Sequence, residues 1–230
     1  MAPLEGCRVH DRAVLVDDTL VLADLHVGRG AASNVELPVG EGADMVERFE
    51  QLCTRFEPAE ILVAGDLLHS FDDVPRLVES TLGGLKAAAR ETGARLVVTP
   101  GNHDTMLGTV WSGNTPPEYR IGETVVCHGD VEPEAGAERY VVGHDHPTIT
   151  IEGRNRPCYL AGEGVYRGAD LLVLPSFNRL VAGVPVNGMS SSDFMSPLVT
   201  DADALSPLVW DDEAGDALRF PPLGEFRHRL

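Results

Sequence analysis

The chain has 230 residues, with 36 acidic side chains against 18 basic ones and a net charge of −18. That length can bury one sizeable core, and a single domain over 1–230 is expected. No apolar run approaches membrane-spanning length, and no N-terminal stretch pairs a basic flank with an apolar h-region, so neither a membrane span nor a signal peptide is read. Cys7, Cys53, Cys127 and Cys158 are scattered without a C-x-x-C pair, which predicts reduced thiols and a cytoplasmic location. Lys86 is the only lysine beside 17 arginines. An acidic shell of this kind keeps a protein soluble but calls for salt to screen its self-repulsion, and suggests a salt-loving host, with a GC-rich mesophile as the alternative. At about 1 M salt the screening length falls to roughly 3 Å. Net charge therefore neither supports nor excludes nucleic acid as a partner.

In chain order, residues 12–16 and 20–23 flank Asp17-Asp18-Thr19 and read as a hairpin. Its second strand delivers Asp24 and His26. On extended chain, two residues apart, both side chains leave on one face and can reach one metal. Residues 27–42, rich in Gly and containing Pro38, read as an active-site loop. Over 44–56 the positions Met45, Val46, Phe49, Leu52, Cys53 and Phe56 follow helical spacing. Glu60–Ala64 reads as a buried strand that ends at Asp66. A second helix is expected over 75–91, with Pro75 in its first turn and Gly93 past its end, though Gly83-Gly84 weakens its continuity. Arg95–Thr99 is the third strand of this α/β half. Short strands are then expected at about 123–127, Arg139–Val142, 148–151, 157–160 and 171–174, and 208–210 with 217–220 as a last hairpin. An α/β first half and a β-rich second half predict two sheets face to face with helices outside.

Polar clusters follow five of these strands: Asp24-Leu25-His26, Gly65-Asp66-Leu67-Leu68-His69, Gly101-Asn102-His103-Asp104, Cys127-His128-Gly129-Asp130 and Gly143-His144-Asp145-His146. One such loop reads as a turn plus a helix cap. Five of them, holding six of the eight histidines, do not. Ligands gather at the carboxyl ends of strands in sheet-based folds. Two divalent cations some 3.5–4 Å apart need a bridging carboxylate and a mixed O/N ligand set. Asp66 is the natural bridge. Asp24, His26 and one histidine of the late His-x-His could complete one site, and Asn102, His128 and the other histidine the second. A mixture rich in imidazole suits Mn, Fe or Zn.

Asp24-x-His26, Gly65-Asp66, Gly101-Asn102-His103-Asp104, His128 and Gly143-His144-x-His146 together resemble the signature of the calcineurin-like metallophosphoesterases, in order and over roughly 12–180. The resemblance implies a four-layer α/β/β/α sandwich of two mixed sheets, with 181–230 as a C-terminal extension. It implies two divalent metals, Mn foremost: Asp24, His26, Asp66 and His146 on one, Asp66, Asn102, His128 and His144 on the other. It also implies His103 as phosphate contact and proton donor to the leaving oxygen, Asp104 as its orienting partner, and a hydroxide bridging the metals as the in-line attacking group.

Protein Ser/Thr phosphatases of that superfamily carry an Arg after the second motif to clamp a phosphomonoester. Residues 65–71 contain none, and a terminal phosphate dianion calls for such a guanidinium fork. Gly65-Asp66-Leu67-Leu68-His69 is instead similar to the double-strand-break-repair nucleases, where the last His, here His69, sits beside the substrate strand. Asp66-x-x-His69, Gly143-His144-x-His146-Pro147 and Leu174-Pro175-Ser176-Phe177-Asn178 resemble the ICC-like phosphoesterases of archaea, which are similar to endonucleases associated with a DNA ligase and a helicase. The chain departs from the repair nucleases in leaving no room after 180 for a duplex-engaging cap. A phosphodiesterase acting on small diesters, single-stranded or branched DNA, in DNA repair or with a helicase or ligase partner, is the favoured expectation. A phosphomonoesterase on a nucleotide or metabolite and a non-catalytic metal-stabilised partner module are the alternatives. Arg29, Arg154, Arg156 and Arg179 are candidate phosphate contacts; for any one of them a solvated surface arginine is the commoner case.

Overall fold

The computed structural model describes residues 4–32, 40–69, 74 and 76–226. In chain order the elements are β1 (Cys7–His10), β2 (Ala13–Val16), β3 (Thr19–Ala23), the single turn α1 (Arg29–Ala32), α2 (Glu41–Phe56), β4 (Glu60–Ala64), α3 (Arg76–Glu91), β5 (Arg95–Thr99) and the short α4 (Leu107–Val110). Then follow β6 (Glu118–Ile121), β7 (Thr124–Cys127), β8 (Arg139–Val142), β9 (Pro147–Ile151), β10 (Arg154–Pro157), β11 (Tyr159–Tyr166), β12 (Ala169–Val173), β13 (Val184–Pro185), β14 (Ser206–Asp211), β15 (Asp216–Arg219) and the turn α5 (Leu223–Phe226).

Two mixed sheets carry the fold. The first has five strands in the order β1-β2-β3-β4-β5, and the second has seven in the order β15-β14-β11-β12-β8-β7-β6. β3, β4 and β5 run parallel, as do β7, β8 and β12. Successive residues of a strand face opposite sides, and the core divides accordingly. Leu20 and Leu22 of β3 meet Met45, Phe49 and Leu52 of α2, while Val21 and Ala23 meet Val126, Val141 and Leu172 of the second sheet. The outer face of that sheet, with Val142, Leu160 and Val173, is covered by Ile149, Val186, Phe194, Leu198, Leu205 and Leu223. This outer layer consists of the small sheet β10-β9-β13, the 3-10 turns Ser191–Asp193 and Ala202–Ala204, and α5.

Several elements differ from the sequence expectation for identifiable reasons. α3 runs unbroken through Gly83-Gly84. A Cβ on Gly84 would lie 2.8 Å from the Val46 side chain of α2, so this glycine lets the two helices close on each other. The strand expected at 157–160 is two strands, β10 ending at Pro157 and β11 starting at Tyr159. The expected hairpin gains β1 as an antiparallel outer strand. Pro75 and part of the 27–42 loop lie outside the described residues. The four thiols are free, with Cys53, Cys127 and Cys158 buried as apolar fillers.

Candidate metal centre

The five polar clusters stand at the carboxyl ends of β3, β4, β5, β7 and β8, the edge where parallel strands leave a crevice. The ladder between β3 and β4 continues past both strands: Asp24 N donates to Gly65 O, His26 N to Asp66 O and Val27 N to Leu67 O. Gly65 N in turn donates to Thr99 O of β5. The expectation of extended chain at Asp24 and His26 is corrected by the structure. Both adopt left-handed φ, 54° and 41°, as do Asp66 at 47°, His144 at 72° and His146 at 47°. Ten non-glycine residues among those described have positive φ, and five are these candidate ligands. Such backbone costs about 1 kcal/mol or more per residue and concentrates where function demands it. From this turn both side chains enter one cluster.

The motif glycines have a direct cause. A Cβ on Gly65 would collide with the His128 imidazole, one on Gly101 with the Asp66 carboxylate, and one on Gly143 would lie 2.5 Å from Asp24 Oδ2. In each case the obstacle is a ligand candidate from another loop.

The side chains form two adjoining groups. In the first, ligand atoms of Asp24, His26, Asp66 and His146 all lie within 4.8 Å of one another. His26 Nε2 is 3.2 Å from His146 Nε2 and 3.6 Å from Asp66 Oδ2, and His146 Nε2 is 3.5 Å from Asp24 Oδ1. In the second group His128 Nε2 is 3.0 Å from Asn102 Oδ1, 3.0 Å from His144 Nδ1 and 3.5 Å from Asp66 Oδ2. Asp66 Oδ2 thus faces both groups, while Asp66 Oδ1 accepts from His103 N at 2.9 Å.

Hydrogen bonding alone does not explain this packing. His128 Nε2 carries at most one hydrogen, yet three lone-pair atoms surround it. Asp24 Oδ1 is fully buried and, among the described residues, makes no hydrogen bond; it is approached at 3.5 Å by His146 Nε2 and by His128 Nδ1. A cation bound to N and O ligands at about 2.0–2.2 Å spaces those ligands roughly 3–3.5 Å apart. The residues present therefore fit divalent metal.

Electrostatics agree. Burial, followed by the negative charge of Asp24, pushes the Asp66 carboxyl up to about 8. Burial also acts to raise Asp24, but His146, His128 and His26 outweigh it and hold this carboxyl below its usual range. Burial drives His26 down to about 3, helped by its neighbouring imidazoles, and also lowers His128. His146 is likewise penalised by burial, yet the carboxylates of Asp24 and Asp66 raise it. Two carboxylates this close do not both ionise without a counter-charge. A cation supplies one.

His103 and His69 flank the first group. Their rings stack at 5.8 Å with 11° between planes, and His103 lies 5.1 Å from the His26 ring. Ligand atoms of His26, His69 and His103 also fall within 4.8 Å of one another. Burial, then His146, lowers His103. The hydrogen bonds described for Asp104 go to main chain: Gly101 N at 2.9 Å, Leu68 N at 2.8 Å and Leu67 N at 3.2 Å. This carboxylate ties the β4 loop to the β5 loop.

Of the candidate arginines, Arg29 acts electrostatically on His146. Arg179 pairs with Asp44 at 2.9 Å. Arg154 and Arg156 stand exposed on β10, an edge strand of the small sheet.

Sequence reasoning gave no role to Ser176, Asn178 and Asp145. Asp145, buried between His144 and His146, accepts from Met195 N at 2.7 Å and Ser196 N at 3.3 Å. Its position inside His-x-His was the available signal.

Comparison with the curated proteins finds no match. Among solved structures, Pseudomonas putida nuclease MPE is 19% identical over 91% of this chain and 92% of its own, with a TM-score of 0.60. YfcE, a phosphoesterase from E. coli, is 15% identical over 89% of this chain and 98% of its own, with a TM-score of 0.45. The first likeness bears on the fold, which it shares. The sequence pattern described as Calcineurin-like phosphoesterase matches residues 18–179, the span that carries every cluster of the centre. The chain belongs to the calcineurin-like phosphoesterase family and is a metal-dependent phosphoric ester hydrolase.

Proposed function

We propose that the centre holds two divalent cations, Mn foremost, and that the protein is a nuclease-like phosphodiesterase. The observation that carries the dinuclear reading is Asp66 Oδ2, within 3.5–3.6 Å of a histidine nitrogen in each group. In this reading Asp24, His26, Asp66 and His146 hold one cation, and Asp66, Asn102, His128 and His144 hold the other. When bound, such a pair polarises phosphoryl oxygens and acidifies water. His103, partly exposed beside the first group, carries the proton delivered to the leaving oxygen, and stacked His69 lines the approach of the substrate strand. Asp104 keeps the β4 and β5 loops in register, which fixes where His103 stands.

Diester preference is supported by the absence of Arg from 65–71 and by the resemblance to ICC-like and ligase-associated enzymes. The neighbour that shares the fold is named a nuclease. We take 1–230 as one metallophosphoesterase domain, since the extension beyond 180 contributes β14 and β15 to the second sheet. Duplex engagement in DNA repair then falls to a helicase or ligase partner, and single-stranded or branched DNA is the substrate class for the chain itself. A phosphomonoesterase is the second reading, and one observation favours it: the charge of Arg29, a candidate phosphate contact, acts on His146.

The deciding experiment compares bis-p-nitrophenyl phosphate with p-nitrophenyl phosphate, using metal-free protein restored with Mn in high salt. Faster diester hydrolysis is expected. Monoester preference overturns the substrate class. Inactivity on both with two metals bound per chain would instead favour a binding module.

A further inference from the structure

Three consecutive residues far along the chain cap the turn that carries Asp24 and His26. Phe177 N donates to Ala23 O at 2.8 Å, Ser176 Oγ to Asp24 O at 2.7 Å, and Asn178 Nδ2 to Leu25 O at 2.9 Å and His26 O at 3.3 Å. Four successive carbonyls, from Ala23 to His26, are thereby satisfied from one segment. Their amides at Asp24 and His26 are taken by the β4 loop, so this turn is fixed on both edges. All three capping residues are buried. Asn178 Oδ1 accepts from Leu180 N at 2.8 Å, which orients the amide with its nitrogen toward the turn.

A second tier holds the segment itself. Arg12 Nη1 donates to Ser176 O and to Asn178 O, each at 3.0 Å, and Arg48 Nη1 donates to Phe177 O at 2.8 Å. The Arg48 guanidinium also lies 4.1 Å over the Phe177 ring and binds Asp11 Oδ2 at 2.8 and 2.6 Å. Two cations, Arg48 buried and Arg12 partly so, thus serve main-chain oxygens at three successive positions. A loop joining β12 to β13 has no need of that reinforcement unless its own shape matters to something it touches, and what it touches is the left-handed turn at Asp24 and His26.

We propose that Ser176 and Asn178 are positioning residues for the metal centre: they hold Asp24 and His26 in the left-handed conformation that aims both side chains at the cation, with Arg12 and Arg48 holding them in turn. This rests on the reading of Asp24 and His26 as ligands. Removing the hydroxyl or the amide frees a strained turn to relax toward ordinary backbone, and the ligands move with it.

The test titrates metal-free protein with Co(II), following affinity and the visible ligand-field spectrum, beside the melting temperature. Asn178→Ala and Ser176→Ala are expected to weaken Co(II) binding by about 10–100-fold and to alter the spectrum, and Ser176→Thr, which keeps the hydroxyl, to retain wild-type binding. Leu205→Ala, a core deletion in the separate cluster on the outer face of the second sheet, is expected to lower the melting temperature while leaving affinity and spectrum unchanged. Wild-type affinity and spectrum in both alanine variants would overturn the proposal, whatever their melting temperatures. Equal loss in Ser176→Thr and Ser176→Ala would overturn the part given to the hydroxyl. Should Asn178→Ala fail to fold, the Ser176 pair decides. His26→Ala in parallel separates the premise: wild-type Co(II) binding there would show that His26 is no ligand.

Discussion

The two sheets deliver candidate ligands to one centre and hold them by partly different means. On the five-stranded sheet, the loops after β3, β4 and β5 are stitched main chain to main chain, from Asp24 N to Gly65 O, His26 N to Asp66 O and Gly65 N to Thr99 O. On the seven-stranded sheet the His-x-His loop is braced by carboxylates: His144 N donates to Asp24 Oδ2 at 3.0 Å, and Asp145 receives the amides of Met195 and Ser196. Neither means is exclusive: Asp104 also ties the loops after β4 and β5, Ser176 and Asn178 cap the turn after β3, and main-chain bonds from Gly143 N to His128 O and from Val184 N to His146 O support the His-x-His loop. What sets the second sheet apart is the pair of acids on that loop. The loop is thus sensitive to the loss of either one, and Asp24 is itself a candidate ligand.

Asp66 is where the two scaffolds meet, and its loss gives the largest expected effect. Asp66→Ala should reduce metal content and lower turnover at least about 10³-fold, because several kcal/mol of charge stabilisation go with the metals. Metal per chain and turnover, measured on the same sample, check this; retention of two metals would break the reading of a shared bridge. His103→Ala isolates the first sheet's contribution to chemistry. Metal content should stay at the wild-type level while turnover falls about 10²–10⁴-fold. The loss should be greater for an alkyl ester than for p-nitrophenyl esters, whose leaving group needs little protonation. Equal losses on both would remove His103 from proton delivery.

Asp145→Ala tests the sensitivity of the His-x-His loop directly. Two amides lose their acceptor, the buried one of Ser196 at a cost of about 1–3 kcal/mol where water does not replace it, and the His144 and His146 turn loses its brace. Metal affinity should fall about 10–100-fold, with the melting temperature, while Asp145→Asn, which keeps one acceptor oxygen, should recover part of both. Calorimetric metal titration of the two variants gives the answer. Unchanged affinity in Asp145→Ala would show that the His-x-His loop keeps its shape without this acid.

That contrast also explains what could be read from sequence. The polar clusters were legible because the same kind of event, an apolar strand ending in Asp, Asn or His, recurs at Asp24, Asp66, Asn102, His128 and His144. Of the two long helices, the first was legible from apolar spacing and the second from Pro75 and Gly93 at its ends. β1 and β10 were not, since Cys-Arg-Val-His and Arg-Asn-Arg-Pro offer no apolar run, and both are edge strands fixed by pairing with a neighbour. The left-handed turns were hidden for a similar reason. Asp24 and His26 look like strand by spacing, and the contacts that accompany the other conformation come from the β4 loop and from residues 176–178, some 150 positions away. Asp145 likewise finds its partners 50 residues on.

Salt should act on both sheets together. With a net charge of −18, self-repulsion opposes compaction, and raising NaCl from about 0.1 M to about 1 M shortens the screening length from about 10 to about 3 Å. The melting temperature of the metal-free protein should rise across that range. A flat or falling curve in thermal scans would remove the support for a salt-loving host.

The smallest effect concerns the seam where the sheets touch at their edges. His10 of β1 packs edge-on against Trp210 of β14 at 4.4 Å and lies 6.1 Å from Phe56. Burial, then the charge of Arg55, lowers its pKa below 6.5. The unfolded chain therefore binds the proton more readily than the folded one. Stability from this group is fully present above about 6.5 and declines as pH falls from there toward the folded value. His10→Phe keeps a ring against Trp210 and removes the titration, so its melting temperature relative to wild type should climb as pH drops through that window, by no more than about 2 °C given the solvent around His10. A constant difference between the two proteins across the window would mean that protonation of His10 is indifferent to the seam. The edge would then join the sheets by ring packing alone, with no charge dependence of its own.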